Sequence, residues 1–297
     1  MVIGSRGSKL ALWQARWIQA RLEEMGIESR IEIIQTSGDK ITDVALAKVG
    51  TKGLFTKEIE EALLDGRIDL AVHSLKDLPA DLPPGLTIAA VPEREDARDA
   101  VVGTPLAMLA PGARIGTSSL RRAAQLRVLR PDVTPDNIRG NVDTRLRKLD
   151  EGQFAAILLA SAGLRRLGWE DRITQVLDVS EMCPAVGQGA LAVETREGGP
   201  AFAVCRKLDH RDTRAAITAE RALLAALGGG CQLPAGAHAR VSGDDLQIDA
   251  VVVSPDGLQV VRGASEGRTD QASAIGARLG EQLLQDGGRR ILEQVLG

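Results

Sequence analysis

A strand-to-helix junction near the middle of the chain reads Ala113-Arg-Ile-Gly-Thr-Ser-Ser-Leu-Arg-Arg122. The run over 113–116 predicts a short strand, and the pattern over 120–129 predicts a helix. The serine and threonine residues between them are of the types that cap a helix N-terminus. Such a junction is typical of an α/β fold, in which helices follow the strands of a largely parallel sheet.

The same alternation extends in both directions from this junction. Downstream, the pattern predicts a strand over 137–139, a helix over 142–149, a strand over 155–159 and a further helix. Upstream, it predicts strands over 2–5, 31–35 and 68–72 and helices over 10–25 and 58–64. Two α/β units are therefore expected. The charged segment 91–99 between them predicts a hinge, because it is too polar for a core and too short for a flexible linker.

The last part of the chain changes character. After a predicted helix over 214–227, three strand-like runs (236–241, 246–253 and 259–262) precede two predicted helices (271–284 and 289–296). Strands followed by helices indicate a small α+β domain. The run 190–194 is expected to cross back to the first unit. The predicted domains are therefore residues 1–92 with 189–210, residues 98–184, and residues 211–297.

Composition limits the classes of function. The chain has 297 residues, 44% of them hydrophobic, and a net charge of −3, which is typical of a globular protein without a general basic field for nucleic acid. The three cysteines form no C-x-x-C pair and the three histidines are far apart, so no metal site is expected. Because no signal segment or membrane span is evident, we expect a soluble, cytoplasmic protein. A monomer is the default expectation.

Arginine residues follow several predicted strands. Arg121 and Arg122 lie in the first turn of a helix, where a cation opposes the helix dipole, so a bound anion would resolve the conflict. Pairing with surface acids is the alternative. Arg139 and Arg145 flank a second junction, and Arg166 follows a third. Because ligands bind at the carboxyl ends of the strands in open α/β sheets, these arginines together predict a site for a polyanion.

Two junctions of the first unit carry further candidates. Arg6 and Ser8 follow the first predicted strand, and Lys76 and Asp77 follow the third. Asp77 is either a catalytic carboxylate kept ionised by Lys76 or one half of a pair in a turn. His73 has the same two interpretations, catalytic or structural, and the pattern favours a half-buried structural histidine.

Two glycine-rich segments complete the set. Lys48, Lys52 and Phe55 lie in the first, which predicts a mobile lid but lacks the G-x-x-x-x-G-K-[ST] spacing of a phosphate-binding loop. Cys231 follows three consecutive glycines in the second. Its thiol is either a nucleophile projected from a loop or a small buried side chain.

These motifs together resemble the hydroxymethylbilane synthase family, whose members are also called porphobilinogen deaminases. They run in family order over nearly the whole chain: Ser5-Arg-Gly-Ser-Lys-Leu-Ala-Leu-Trp-Gln14, Leu46-Ala-Lys-Val-Gly-Thr-Lys-Gly-Leu-Phe55, Ala71-Val-His-Ser-Leu-Lys-Asp77, Gly116-Thr-Ser-Ser-Leu-Arg-Arg122, Arg139-Gly-Asn141, Pro184-Ala-Val-Gly-Gln-Gly189 and Gly229-Gly-Cys-Gln232. The resemblance implies two periplasmic-binding-protein-like α/β domains with a hinge, plus a small C-terminal α+β domain. It also implies a transferase of tetrapyrrole (heme) biosynthesis that joins four porphobilinogen molecules head to tail into hydroxymethylbilane, releasing ammonia.

The family's chemistry implies a role for each candidate. Cys231 would hold a dipyrromethane primer through a thioether, and Asp77 would be the catalytic carboxylate. The carboxylates of primer and substrate would then be the predicted polyanion. Cofactor binding is implied for Lys76, Thr117, Ser118, Ser119, Arg121, Arg122, Arg139 and Gln188, and substrate binding for Arg6, Ser8, Arg145 and Arg166. Lys48, Lys52 and Phe55 would lie on a flexible loop near the cleft.

Two other interpretations use some of the same residues. A solute-binding protein built from two α/β domains would use the arginine-rich edge for a dicarboxylate, but it would have no use for Cys231. A nucleic-acid-binding protein would also use clustered arginine. The net charge and the aromatic content of 2% oppose that interpretation, because few rings are available to stack on bases.

Overall fold

The computed structural model of the chain describes residues 1–40, 56–229 and 233–296. The chain forms two compact units, which we call the first unit (Met1–Glu95 with Ala190–Arg214) and the second unit (Asp96–Gly189 with Ala215–Gly297). The division between Glu95 and Asp96 falls inside the segment 91–99. The hinge at this segment and the division into three domains stay predictions.

The described residues contain thirteen strands and ten α-helices. The strands are β1 (Val2–Ser5), β2 (Arg30–Ile33), β3 (Leu70–Ser74), β4 (Leu86–Ala90), β5 (Asp99–Gly103), β6 (Arg114–Gly116), β7 (Thr134–Asp136), β8 (Ala156–Ala160), β9 (Ile173–Val176), β10 (Leu191–Arg196), β11 (Ala235–Ser242), β12 (Asp245–Val253) and β13 (Val260–Arg268). The helices are α1 (Lys9–Glu24), α2 (Ser37–Lys40), α3 (Lys57–Leu64), α4 (Leu120–Leu129), α5 (Val142–Asp150), α6 (Ser161–Arg166), α7 (Pro200–Cys205), α8 (Arg211–Ala226), α9 (Ala272–Leu283) and α10 (Arg289–Leu296).

The first unit is a five-stranded sheet with helices on both faces. Its strand order is β2-β1-β3-β10-β4. On one face, α1 buries Ala15, Ile18 and Leu22 against the sheet. On the other face, α3 packs through an apolar cluster of its own that includes Ile59 and Leu63. Since both faces of the sheet are covered, the strand ends are the parts of it that remain for a ligand.

The second unit contains a five-stranded sheet of the same design, in the order β7-β6-β8-β5-β9. Alternate residues of β8 enter different cores: Ala156 and Leu158 pack with Leu126 of α4, whereas Ile157 and Leu159 pack with Leu146 of α5. This alternation is the two-residue period of a strand that is buried on both faces.

The structure confirms the α/β fold class with a C-terminal α+β part, and in each five-stranded sheet four strands run in one direction and one runs against them. In the first unit β1 pairs in parallel with β2 and β3, while β10 runs antiparallel to β3 and β4. In the second unit β6 pairs in parallel with β7 and β8, while β5 runs antiparallel to β8 and β9. Each sheet is therefore largely parallel, as expected, with one antiparallel strand (β10 or β5) inserted beside its central strand.

Several strands differ from the sequence prediction. The patterns do not predict β4, β5 and β9, and the predicted run 259–262 covers only the start of β13. The strand predicted over 137–139 lies earlier, at β7, so Arg139 is in the loop beyond the strand end. Asp99, expected in the hinge, begins β5 and is fully buried.

The C-terminal part of the second unit is an antiparallel sheet, β11-β12-β13, that packs on helices α8, α9 and α10. Helices α8 and α9 cross closely at Gly276, where a Cβ atom would lie 1.9 Å from the carbonyl oxygen of Ala219. Any larger residue there would force the helices apart. The other side of the sheet contacts α4 through Val251, Val253 and the buried Cys183.

The described helices include none with the length and apolar character needed to cross a bilayer.

Candidate active site

Asp77 lies in a short turn that leaves β3. The N–H of Leu75 donates to the carbonyl of Ala190 (3.0 Å), and the N–H of Leu78 donates to the carbonyl of Leu75 (3.1 Å). Both leucine side chains are buried. The Asp77 side chain between them is exposed, and Lys76 is half-buried. Two apolar anchors therefore hold a solvent-facing carboxylate in a defined turn.

The junction between β1 and α1 lies at the same edge of the first sheet as this turn, because β1 and β3 are parallel neighbours. Ser8 caps α1: its hydroxyl accepts from the N–H of Ala11 at 3.2 Å. The buried side chain of Gln14 in α1 donates to the hydroxyl of Ser74 at the end of β3 (2.8 Å). Arg6, half-buried, precedes the cap. The structure thus brings the four predicted residues of the first unit to one edge of its sheet.

The corresponding junction of the second unit, between β6 and α4, uses its hydroxyls locally. Ser119 caps α4 by accepting from the N–H of Arg122 (3.4 Å), and the hydroxyl of Thr117 accepts from the N–H of Ser119 (3.2 Å). Ser118 donates to the carbonyl of Ile138 (3.0 Å). These contacts fix the loop at the amino end of α4, where backbone N–H groups and the helix dipole favour an anion.

Arg121 and Arg122 converge on one buried carboxylate, Asp99. Nη1 of Arg121 donates to Oδ2 (2.7 Å), and Nε of Arg122 donates to Oδ1 (2.9 Å). The side-chain amide of Gln188 also donates to Oδ1 (2.9 Å). Asp99 and Gln188 have no exposed surface, and the two arginines are at least nine-tenths buried. We call these four residues the arginine cluster.

The charge balance of the arginine cluster favours anions. Burial alone raises the pKa of the Asp99 carboxyl, but the charges of Arg121 and Arg122, with hydrogen bonds from Arg121 and Gln188, overcome it and hold that pKa well below the usual range. Burial also lowers the pKa of Arg122, against the opposing effect of Asp99. Two guanidinium groups therefore share one ionised carboxylate, and the cluster carries a net positive charge.

Most donors of the arginine cluster are already used inside the protein. Arg122 also donates to the carbonyl of Leu158 (3.1 Å), and Arg121 also donates to the carbonyl of Cys183 (2.7 Å). Nε of Arg121 is buried, and no residue in the described part of the chain accepts from it. A buried donor without an acceptor is costly, so this atom favours an incoming oxygen ligand.

The other predicted arginines lie at the same edge of the second sheet, because β6, β7 and β8 are parallel. Arg166 is buried in α6 and donates to the carbonyl of Gly189 (2.6 Å). Arg145 donates through Nε to the carbonyl of Gly140 (2.8 Å). Arg139 is half-buried, next to the buried Ile138. The edge therefore combines buried and accessible guanidinium groups.

Asp99 is the residue of the candidate site that the sequence does not predict. The charge of segment 91–99 favours a hinge, so its last residue is not expected in a core. The available signal was the pair Arg121–Arg122 in a first helical turn, which called for an anion. The buried carboxylate of Asp99 pairs with both arginines, so the protein itself supplies one of the anions that they require.

Four predicted residues lie outside the described residues: Lys48, Lys52, Phe55 and Cys231. The remaining residues fit an anionic cofactor. The cluster's net positive charge and the unpaired Nε of Arg121 suit a group that carries carboxylates.

Comparison with known proteins identifies the family. Residues 1–203 match the family model described as "Porphobilinogen deaminase, dipyromethane cofactor binding domain", and residues 214–285 match "Porphobilinogen deaminase, C-terminal domain". The chain is 50% identical over 299 residues to a porphobilinogen deaminase of Syntrophobacter fumaroxidans, covering 99% of this chain and 97% of that protein. The chain belongs to the porphobilinogen deaminase family.

A second relative agrees with this membership. A porphobilinogen deaminase of Pelotomaculum thermopropionicum is 51% identical over 300 residues, covering 99% of this chain and 96% of that protein. The resemblance drawn from the motifs, the transferase activity and the dipyrromethane cofactor are thus confirmed at the level of the porphobilinogen deaminase family.

Among solved structures, a periplasmic substrate-binding protein of an ABC transporter from Coxiella burnetii is similar at a TM-score of 0.44 and 13% identity, covering 70% of this chain and 91% of that one.

Proposed function

We propose that the chain polymerises porphobilinogen head to tail into hydroxymethylbilane, releasing ammonia, on a dipyrromethane primer attached to Cys231. The observation that carries this proposal is the arginine cluster, in which two buried guanidinium groups share the carboxylate of Asp99. Each pyrrole of substrate and product carries an acetate and a propionate. A growing chain of such units is a polycarboxylate, which is the ligand class that a positively charged, arginine-rich edge selects.

The contacts divide the cofactor-binding set into two groups. Arg121 and Arg122 supply fixed charge, because Asp99 and main-chain carbonyls already occupy most of their donors. The neutral amide of Gln188 helps to hold the carboxylate that the two arginines share. The residues proposed to contact the cofactor's carboxylates directly are Lys76, Thr117, Ser118, Ser119 and Arg139, together with Nε of Arg121. When bound, the dipyrromethane supplies the pyrrole on which the chain is extended.

Substrate carboxylates are assigned to Arg6, Ser8, Arg145 and Arg166. Ser8 uses its hydroxyl oxygen as the cap of α1, so its hydroxyl proton is the part available to a carboxylate. Arg166 is tied to Gly189, which fixes one end of its guanidinium group. Pre-positioned donors of this kind cost little entropy when a ligand binds.

Asp77 is assigned to the reaction itself. Loss of ammonia from the aminomethyl group leaves positive charge on the pyrrole ring, and a carboxylate held in a fixed turn stabilises that ring more than the uncharged pyrrole ring of the bound substrate. The same carboxylate can accept a hydrogen bond from a pyrrole N–H. Leu75 and Leu78 hold the turn, so Asp77 does not reorganise during the reaction.

We also propose that Lys48, Lys52 and Phe55 form the lid over this site, and that the enzyme works as a cytoplasmic monomer on a soluble substrate. Sedimentation of the purified protein tests the oligomeric state. A mass of one chain is expected, and a stable dimer would contradict the proposal.

Turnover with porphobilinogen tests the proposed function. The purified protein should release one ammonia per porphobilinogen consumed and yield a linear tetrapyrrole. A protein that binds porphobilinogen or a dicarboxylate but releases no ammonia would favour the solute-binding alternative.

A further inference from the structure

A buried group of three ionisable side chains lies behind the Asp77 turn, in the first unit. It comprises His73 on β3, Glu194 on β10 and Glu60 on α3, all of them more than nine-tenths buried. We call it the His–Glu cluster. Nε2 of His73 lies 3.0 Å from Oε2 of Glu194. The roles assigned to Asp77 and the arginines do not use these residues.

The His–Glu cluster occupies the face of the sheet that α3 covers. In the pairing of β3 with β10, Ala71 lies opposite Glu194 and His73 lies opposite Ala192, so His73 and Glu194 form a diagonal pair on one face. The surrounding residues are apolar, among them Ile59 and Ala62 of α3 and Ala71 of β3. Ionisable groups in such surroundings are expensive to bury.

The cluster is incompletely satisfied. Oε1 of Glu194 and Oε1 of Glu60 are buried, and neither has a hydrogen-bond donor within the ranges 1–40, 56–229 and 233–296. Replacing a buried ion pair by apolar residues of similar size is often neutral or stabilising. Stability alone therefore gives no reason to keep these three side chains in an apolar core.

The position of His73 and Glu194 in the sheet suggests why the protein keeps them in its core. The β3–β10 pairing that His73 and Glu194 bridge continues to Ser74, opposite Leu191, and ends with the hydrogen bond from Leu75 to Ala190. That last bond anchors the turn that carries Asp77. A small displacement of β10 along β3 would therefore move the carboxylate.

We propose that His73 and Glu194 are positioning residues that fix β10 against β3 and thereby hold the Asp77 turn, with Glu60 completing their polar surroundings. The inference rests on the proposed role of Asp77. It assigns the pair a part in catalysis that does not require contact with substrate. Misplacement of a catalytic group by about 1 Å can cost about 100-fold in rate, so the expected effect is on kcat.

Glu60 adds a dependence on pH. Its pKa is raised, chiefly by burial and also by the nearby charge of Glu194, while Thr56 and His73 act in the opposite direction. Glu61 on the same helix adds a smaller unfavourable charge. Arg196 on β10 contacts the other end of α3, at the carbonyl of Leu63. Ionisation of Glu60 would place a second carboxylate beside Glu194 and loosen the pair.

The main test replaces the pair with apolar residues, as His73→Leu together with Glu194→Leu. We expect this variant to fold with an unfolding temperature near that of the wild type, and to carry the same added mass at Cys231. Its kcat should fall about tenfold or more, whereas KM should change less than about twofold. Thr195→Val is the matched control, since Thr195 is a fully buried polar residue on the same strand; its kcat should stay unchanged.

A folded double variant with kcat within about twofold of the wild type would overturn the proposal. Glu60→Gln provides an independent arm, because it resembles the protonated side chain in size. We expect Glu60→Gln to keep its kcat as the pH rises above 4.5 through the raised pKa of Glu60, where the kcat of the wild type declines. Superimposable pH profiles would contradict the role of Glu60. A wild-type protein without turnover or added mass would instead reject the proposed function itself.

Discussion

The two units bury a carboxyl group in opposite electrostatic surroundings. In the first unit, Glu60 lies near Glu194, and its pKa is raised. In the second unit, Asp99 lies between two arginines, and its pKa is far below the usual range. Burial raises the pKa of both carboxyl groups, so the neighbouring charges account for the opposite directions of the two shifts. The buried cluster of the second unit therefore carries excess positive charge, whereas the raised pKa of Glu60 favours its neutral form in the first unit.

Removal of the Asp77 carboxylate should have the largest effect. In Asp77→Ala we expect kcat to fall by about 1,000-fold or more, because a fixed charge opposite the developing cation is lost. The unfolding temperature should hardly change, since the side chain is exposed. Asp81→Ala, another exposed carboxylate of the first unit, is the control and should be fully active. Turnover of Asp77→Ala near the wild-type rate would show that the Asp77 carboxylate does not stabilise the developing cation.

In the second unit, the corresponding change acts on stability. Asp99→Asn leaves two buried guanidinium groups without their carboxylate, so we expect a loss of about 3–5 kcal/mol in the free energy of unfolding. Asp136→Asn breaks the exposed pair with Arg114 and should cost about 1 kcal/mol or less. Denaturant unfolding measures both. Equal losses of unfolding free energy in the two variants would contradict the claim that Asp99 compensates buried positive charge in the arginine cluster.

Arginine substitutions distinguish fixed charge from direct contact. Arg121→His should lower both stability and cofactor loading, because Arg121 belongs to the buried cluster. Arg139→His should weaken cofactor loading or chain elongation by about 10- to 100-fold, with little change in stability. Arg147→His, on the exposed side of α5, serves as the control. Normal loading and elongation in both Arg121→His and Arg139→His would contradict the carboxylate assignment.

The smallest effects concern the pH dependence of stability, and their signs should be opposite. Since the pKa of Glu60 is raised from 4.5, the folded state binds that proton more tightly, and the contribution of Glu60 is lost as the pH rises through its raised pKa. Since the pKa of Asp99 is lowered from 3.8, its contribution is present above pH 3.8 and is lost as the pH falls below that value.

Unfolding free energies of the wild type, Glu60→Gln and Asp99→Asn across the pH range check this contrast. Glu60→Gln should flatten the decline of stability on the alkaline side of pH 4.5, and Asp99→Asn should flatten the decline on the acid side of pH 3.8. A change of the same sign in both variants would contradict the opposite pKa shifts of Glu60 and Asp99.

Sequence patterns predicted the elements with strong local signals. Helix α1 has a serine cap and a clear apolar stripe, and the junctions after β1, β3, β6 and β8 carry recognisable turn residues. The patterns did not predict β5, because its first residue is a charged aspartate whose partners are 22 and 23 residues away. Antiparallel insertion of β10 beside β3 likewise depends on contacts distant in sequence.

The candidate site shows the same limit. The arginine-rich edge was predictable from the positions of arginine after strands. The contact of His73 with Glu194 was not, since the two residues are separated by 121 positions. The sequence predicts a half-buried His73, and the structure buries it beside Glu194. Partners that meet only through the tertiary fold leave no local pattern.

The most direct test of the central claim, that the arginine-rich edge serves a covalently bound polycarboxylate, is the intact mass of the purified protein beside Cys231→Ser. The account predicts an added mass equal to two linked pyrroles, which peptide mapping places at Cys231 and which is absent from the variant. No adduct in the wild type, even after incubation with porphobilinogen, would contradict it.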